Sequence, residues 1–143
     1  MPDRIDTYRR FKETTRIPLA GAEHDYTRWG MARFIEKGAL DVYQPDPYWC
    51  GGLSETLKIA ALTTTHDLIC IPHGHSTHVN ATFSARQSPI HTPWQEFLVK
   101  WNAVHQFWFE TPLEPQQGVI RPPEFAGLSP PLDEARIETS EEF

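Results

Sequence analysis

Apolar residues in this chain gather into short runs, and longer stretches with helical spacing separate them. Residues 17–20, 40–43 and 68–71 read as strands. The last of these is nearly continuously apolar, as a parallel strand buried on both faces is. Residues 93–98 form a fourth, shorter and more mixed strand candidate. Between them lie helix patterns. Thr27 can cap a helix over 28–37 that Gly38 stops. Ser54 can cap a helix reaching His66, with Leu53, Leu57, Ala60 and Ala61 on one face. A short helix is expected over 78–86 with Val79 and Phe83 inward, and another over 99–109. Pro2 and Asp3 open a first helix in which Ile5, Tyr8 and Phe11 recur at helical spacing. No strand precedes it. The pattern predicts an α/β protein built from βα units.

Each strand run ends at a chemically able side chain: Glu23, Asp46, His73 and Glu96, at gaps of about 23, 27 and 23 residues. In a (β/α) barrel the C-terminal strand ends build the active site. A closed eight-stranded barrel needs roughly 250 residues, and this chain has 143. Half a barrel is the expectation.

From Pro112 the composition changes. Pro112, Pro115, Pro122, Pro123, Pro130 and Pro131 alternate with polar residues and glycines, which reads as an extended surface tail. Residues 133–142 are acidic and read as solvated. The expected division is residues 1–111 as a partial barrel and 112–143 as tail. Hydrophobic residues at 39% supply a real core. The net charge of −6 argues against nucleic acid or an anionic membrane as partner. No apolar stretch is long enough to span a bilayer, and the charged N-terminus shows no signal peptide. Cys50 and Cys70 follow no metal or redox spacing and read as reduced thiols of a cytoplasmic protein.

Taken singly, the polar residues leave alternatives open. Glu23 and His24 suit a metal-ligand pair or merely the entry of a helix, whose dipole favours a carboxylate. Asp46, held between Pro45 and Pro47, could be a plain turn residue. The stretch His73–Gly74–His75–Ser76–Thr77–His78 has the spacing of a zinc-hydrolase motif, but Thr77 stands where an acid belongs there. A general base at a strand end is the simpler reading of His73, since histidine titrates near neutrality. Glu96 is a charge within an otherwise apolar run.

Together, Ile17 to Gly30, Gln44–Pro45–Asp46, Trp49 to Leu53, Pro72–His73–Gly74 and Glu96–Phe97–Leu98 resemble the C-terminal part of the enolase superfamily, mandelate racemase branch. The likeness is greatest to acid-sugar dehydratases of the L-rhamnonate dehydratase type. It implies strands five to eight of a TIM-type barrel. By this resemblance Glu23 matches a Mg²⁺ ligand, His73 the base, Asp46 its orienting carboxylate and Glu96 a group that stabilises the intermediate, while His24 falls at a substrate-binding position. It implies a sugar-acid carboxylate as substrate, proton abstraction beside that carboxylate, and loss of water. Mg²⁺ bound to the carboxylate would spread the charge of the enediolate.

The family pattern also needs two further acidic metal ligands and a capping domain. Neither lies in this sequence, and Met1 reads as an internal methionine of a longer ancestral protein. The isolated chain is therefore expected to bind Mg²⁺ weakly, to be inactive as a dehydratase, and to self-associate or require an N-terminal half. A racemase or epimerase of the same superfamily, an active full-length enzyme behind a truncated reading frame, and a non-catalytic interaction module are the other readings.

Overall fold

The computed structural model describes residues 2–141 except Ser76, Pro123, Ser129 and Ser140; the side chains of residues 2–4 are also outside it. Met1, Pro123 of the expected tail and part of the acidic C-terminal stretch therefore lie outside the described residues. Helix α1 spans Pro2–Thr14, α2 Thr27–Glu36, α3 Leu53–Thr64, α4 Thr77–Ser84 and α5 Asn102–His105. Strands β1 (Ala20–Gly21), β2 (Val42–Tyr43) and β3 (Ile69–Cys70) form one parallel sheet in that order. Ala20, Val42 and Ile69 align across it, as do Gly21, Tyr43 and Cys70. The result is the α/β half of a (β/α) barrel. No helix among the described residues is long and apolar enough to cross a membrane.

The core lies between the sheet and its helices. Met31, Phe34, Leu40, Tyr43 and Ile59 are buried, with Ile5 of α1 joining them. Tyr8 packs edge-on against Phe34, whereas Phe11 is exposed. Lys12 ties α1 to the sheet through Asp41, at 2.8 Å, and the carbonyl of Leu40, at 3.2 Å. A second cluster joins Ala60, Cys70 and Phe83.

Several local expectations shift. The helix α3 begins at Leu53 behind Gly52, so Ser54 is not its cap. Its buried face is Thr56, Ile59, Ala60 and Thr63, and Leu57 and Ala61 face solvent. Threonine can occupy that face because its hydroxyl returns to the helix: Thr56 donates to Gly52 O at 3.0 Å and Thr63 to Ala60 O at 3.0 Å. At the start of α2 the Thr27 hydroxyl accepts from Trp29 N–H at 3.3 Å. A closer acceptor comes from the next helix, where Glu55 takes the Arg28 N–H at 2.9 Å and pairs with its guanidinium at 2.9 Å.

The fourth strand expected over 93–98 forms no ladder; the segment is irregular. Just before it, His91 O accepts from Cys70 N–H at 2.8 Å, which lays the chain beside β3. Only Asn102–His105 of the expected 99–109 helix forms. The proline-rich stretch folds back onto the body. Phe109 bridges Leu132 antiparallel, and Gln106 binds both the N–H and the carbonyl of Leu113 with its side chain.

Candidate active site

The chain leaves each strand toward the same rim. Glu23 follows β1, Asp46 follows β2 and His73 follows β3. Hydrogen bonds between Ile71 N–H and Tyr43 O, at 2.9 Å, and His73 N–H and Pro45 O, at 3.0 Å, continue the parallel pairing to the rim. Glu96 comes from the irregular segment after α4. It reaches the rim because its Oε2 accepts from Gly74 N–H at 2.8 Å.

The Nδ1 of His73 lies 2.8 Å from Glu96 Oε2. Asp46 instead pairs with His75, whose Nδ1 is 3.0 Å from Asp46 Oδ2. The carboxylate at Nδ1 of His73 is thus Glu96, and the expected partner Asp46 lies at Nδ1 of the neighbouring histidine. Asp46 is fully buried; its Oδ1 accepts from Tyr48 N–H at 2.8 Å and its carbonyl takes Trp49 and Cys50 N–H. Pro45 and Pro47 flank this tight turn, which fixes the carboxylate.

The Glu96 carboxylate raises the pKa of His73 above its ordinary value, against the opposing effect of burial, with Asp46 and Glu23 adding smaller contributions. His73 in turn lowers the pKa of Glu96, helped by the Gly74 N–H and the Gln44 side chain. Glu96 is held ionised in this arrangement. In that state it accepts hydrogen bonds and does not donate one.

The loop carrying both histidines is clamped from three sides. Asn80 donates to His73 O at 2.6 Å, and Gln95 donates to Thr77 O at 3.0 Å. With its amide nitrogen turned toward the loop, Asn102 donates to Thr77 Oγ1 at 2.6 Å and Gly74 O at 3.3 Å, while accepting from Leu98 N–H. Sequence reading passed over Asn80, Gln95, Asn102 and His105. Nothing local marks them, because their partners lie in other segments; two asparagines on short helices, where that residue is a weak helix former, were the available hint.

Glu23 and His24 stand apart from this network. Their side chains are 4.0 Å apart, and His24 meets the ring of Trp49 edge-on. They line a cavity of about 300 Å³ with Tyr8, Ala22 and Asp25. Ala22 has φ 72°, a left-handed conformation costly for a residue with a Cβ, and it aims the chain at Glu23. Mg²⁺ takes near-octahedral oxygen coordination. Among the described residues no three histidine, cysteine or carboxylate side chains converge to hold a metal ion. The donors among the described residues do not by themselves fit a Mg²⁺ shell.

The family model described as enolase C-terminal domain-like matches residues 1–136. A D-galactarolactone cycloisomerase of Agrobacterium fabrum is 35% identical over 139 residues, covering 90% of this chain and 36% of that protein. The crystal structure of a 3,6-anhydro-D-galactonate cycloisomerase from Zobellia galactanivorans superposes with a TM-score of 0.76 at 27% identity, covering 95% of this chain and 39% of that one. The rhamnonate dehydratase from Gibberella zeae, solved in complex with Mg, is 36% identical with a TM-score of 0.57, over 66% of this chain and 23% of that one. The chain spans well under half the length of each.

Proposed function

Because the chain belongs to the enolase C-terminal domain-like family, we propose that it carries the acid–base part of an acid-sugar dehydratase site. The observation that carries this reading is the His73–Glu96 pair at 2.8 Å on the C-terminal rim of a parallel sheet. Glu96 is an ionised acceptor, so the proton of neutral His73 sits on Nδ1. The lone pair is then on Nε2, which has no hydrogen-bond partner among the described residues. That nitrogen can take a proton from the carbon beside a carboxylate, and Glu96 favours the imidazolium that forms.

Glu23 is the residue of this chain assigned to a Mg²⁺ ion, and the remaining carboxylate ligands would come from outside it. Substrate enclosure is likewise assigned to another segment. A complete site therefore needs more protein than these residues supply.

A cycloisomerase is the second reading, favoured by the relative that covers 90% of this chain. Both reactions begin with the same proton abstraction. They part at the leaving oxygen, which departs as water in one case and stays tethered to the carbon chain in the other.

The test supplies the N-terminal part of the Agrobacterium relative in trans with Mg²⁺ and a panel of aldonates and sugar lactones. The chain alone should give no 2-keto acid, and the mixture should give one, lost in His73→Ala. A product isomeric with its substrate would select the second reading. Turnover indifferent to His73 in both settings would overturn both.

A further inference from the structure

Two histidines on one loop each hold a carboxylate of their own. His73 faces Glu96 at 2.8 Å, and His75 faces Asp46 at 3.0 Å. The carboxylates arrive from different sides, Asp46 from the end of β2 and Glu96 from the segment beyond α4. A carboxylate only accepts, so Nδ1 carries hydrogen in both rings. Neither Nε2 has a hydrogen-bond partner among the described residues, and the side chains are 24% and 29% exposed. His75 is therefore built as His73 is.

We propose that Asp46–His75 is a second acid–base dyad, which protonates the leaving oxygen while Glu96–His73 takes the carbon-bound proton. This deepens the dehydratase reading and rests on it. Elimination of water asks for a base at carbon and an acid at oxygen. Nε2 of His73 takes the proton beside the carboxylate, and the C–H electron pair becomes that of the enediolate. That pair then forms the carbon–carbon double bond as the bond to the β-hydroxyl breaks. Both electrons leave with the oxygen, and His75, which enters this step as the imidazolium, gives up its Nε2 proton to complete water. The enol rearranges to the 2-keto acid. His73 ends protonated and His75 neutral, and proton exchange through solvent resets the two.

The surroundings of His75 suit that role. Its ring lies between Tyr48, with centroids 5.2 Å apart, and His105, at 4.0 Å. His105 stacks in turn on Trp101. Burial, then the neighbouring charge of His75, lowers the pKa of His105.

Nitrogen-15 NMR of the imidazoles in the chain itself tests the dyad. Both neutral rings should be Nδ1–H tautomers in the unsubstituted protein. Asp46→Asn should change the tautomer of His75 and leave that of His73, and Glu96→Gln should change the tautomer of His73 and leave that of His75. An Nε2–H tautomer at His75, or an Asp46→Asn effect on His73 in place of His75, overturns the proposal. The unsubstituted spectrum decides the matter even where loss of the buried Asp46 charge disturbs folding. In the complemented mixture, His75→Gln should slow water loss about 100-fold or more while deuterium exchange at the α-carbon persists. Equal loss of both overturns the division of labour. Absence of exchange in the unsubstituted mixture overturns the enzymatic reading, and the ring tautomers still decide the dyad.

Discussion

His73 and Glu96 each hold the other in its charged form, and the consequence for stability has a definite sign. Folding raises the pKa of His73 above 6.5, mainly through its hydrogen bond to Glu96. Its share of stability is complete below pH 6.5 and drains away as pH climbs through the raised value. Folding lowers the pKa of Glu96 below 4.5, mainly through His73. That share is complete above pH 4.5 and is lost as pH falls through the lowered value. The pair stabilises most between these limits. Glu96→Gln should cost on the order of 1 kcal/mol there and flatten the pH dependence on either side. Urea midpoints measured within and beyond the window check this; an unchanged profile would count against the pairing. The four rim residues were legible in the sequence as a periodic series. Which carboxylate served which histidine was not, because Glu96 reaches His73 through Gly74, in a contact that no spacing encodes.

At the scale of elements, the loop after β3 depends on close approach. A Cβ at Gly74 would stand 2.9 Å from Glu96 O and 3.0 Å from Leu98 Cγ. The backbone of 96–98 cannot yield cheaply, since Leu98 is held by Asn102 and Glu96 by Gly74. Gly74→Ala should therefore cost about 1–3 kcal/mol of stability. By displacing Glu96 it should also return the His73 titration toward its ordinary value, read by NMR. A His73 titration unchanged from that of the unsubstituted protein, together with full stability, would refute this account. The first four helices and the first three strand ends followed from periodicity, because an amphipathic stripe and a buried apolar run are local signals. The 93–98 segment misled for the same reason. Its composition permits a strand, but a strand forms only where a neighbour supplies the ladder, and Glu96 turns toward Gly74 instead. On α3 the periodic apolar positions pointed to Leu57 and Ala61, whereas packing chose the stripe through Thr56, Ile59 and Thr63. Threonine hydroxyls that bond their own helix are invisible to a hydrophobicity pattern.

At the scale of the molecule, the sheet is open. Among the described residues β1 pairs on one side only, with β2. Trp94 is 71% exposed and Trp101 52% exposed, both in the segment beyond α4. Unpaired strand edges and exposed aromatic side chains favour association. The isolated chain should therefore self-associate with rising concentration, seen by sedimentation velocity as species heavier than 16.5 kDa. A single 16.5 kDa species throughout would overturn that expectation. The sequence by itself determined the βα rhythm, the polar residue at each strand end and the family to which they point. These are carried by short-range patterns: an apolar run, a turn, and the side chain that follows it. Tertiary structure alone decided the partners. It gave His73 to Glu96, His75 to Asp46 and the loop between them to Asn80 and Asn102. Those pairings depend on how far each chain segment travels before packing stops it, which is a property of the assembled fold.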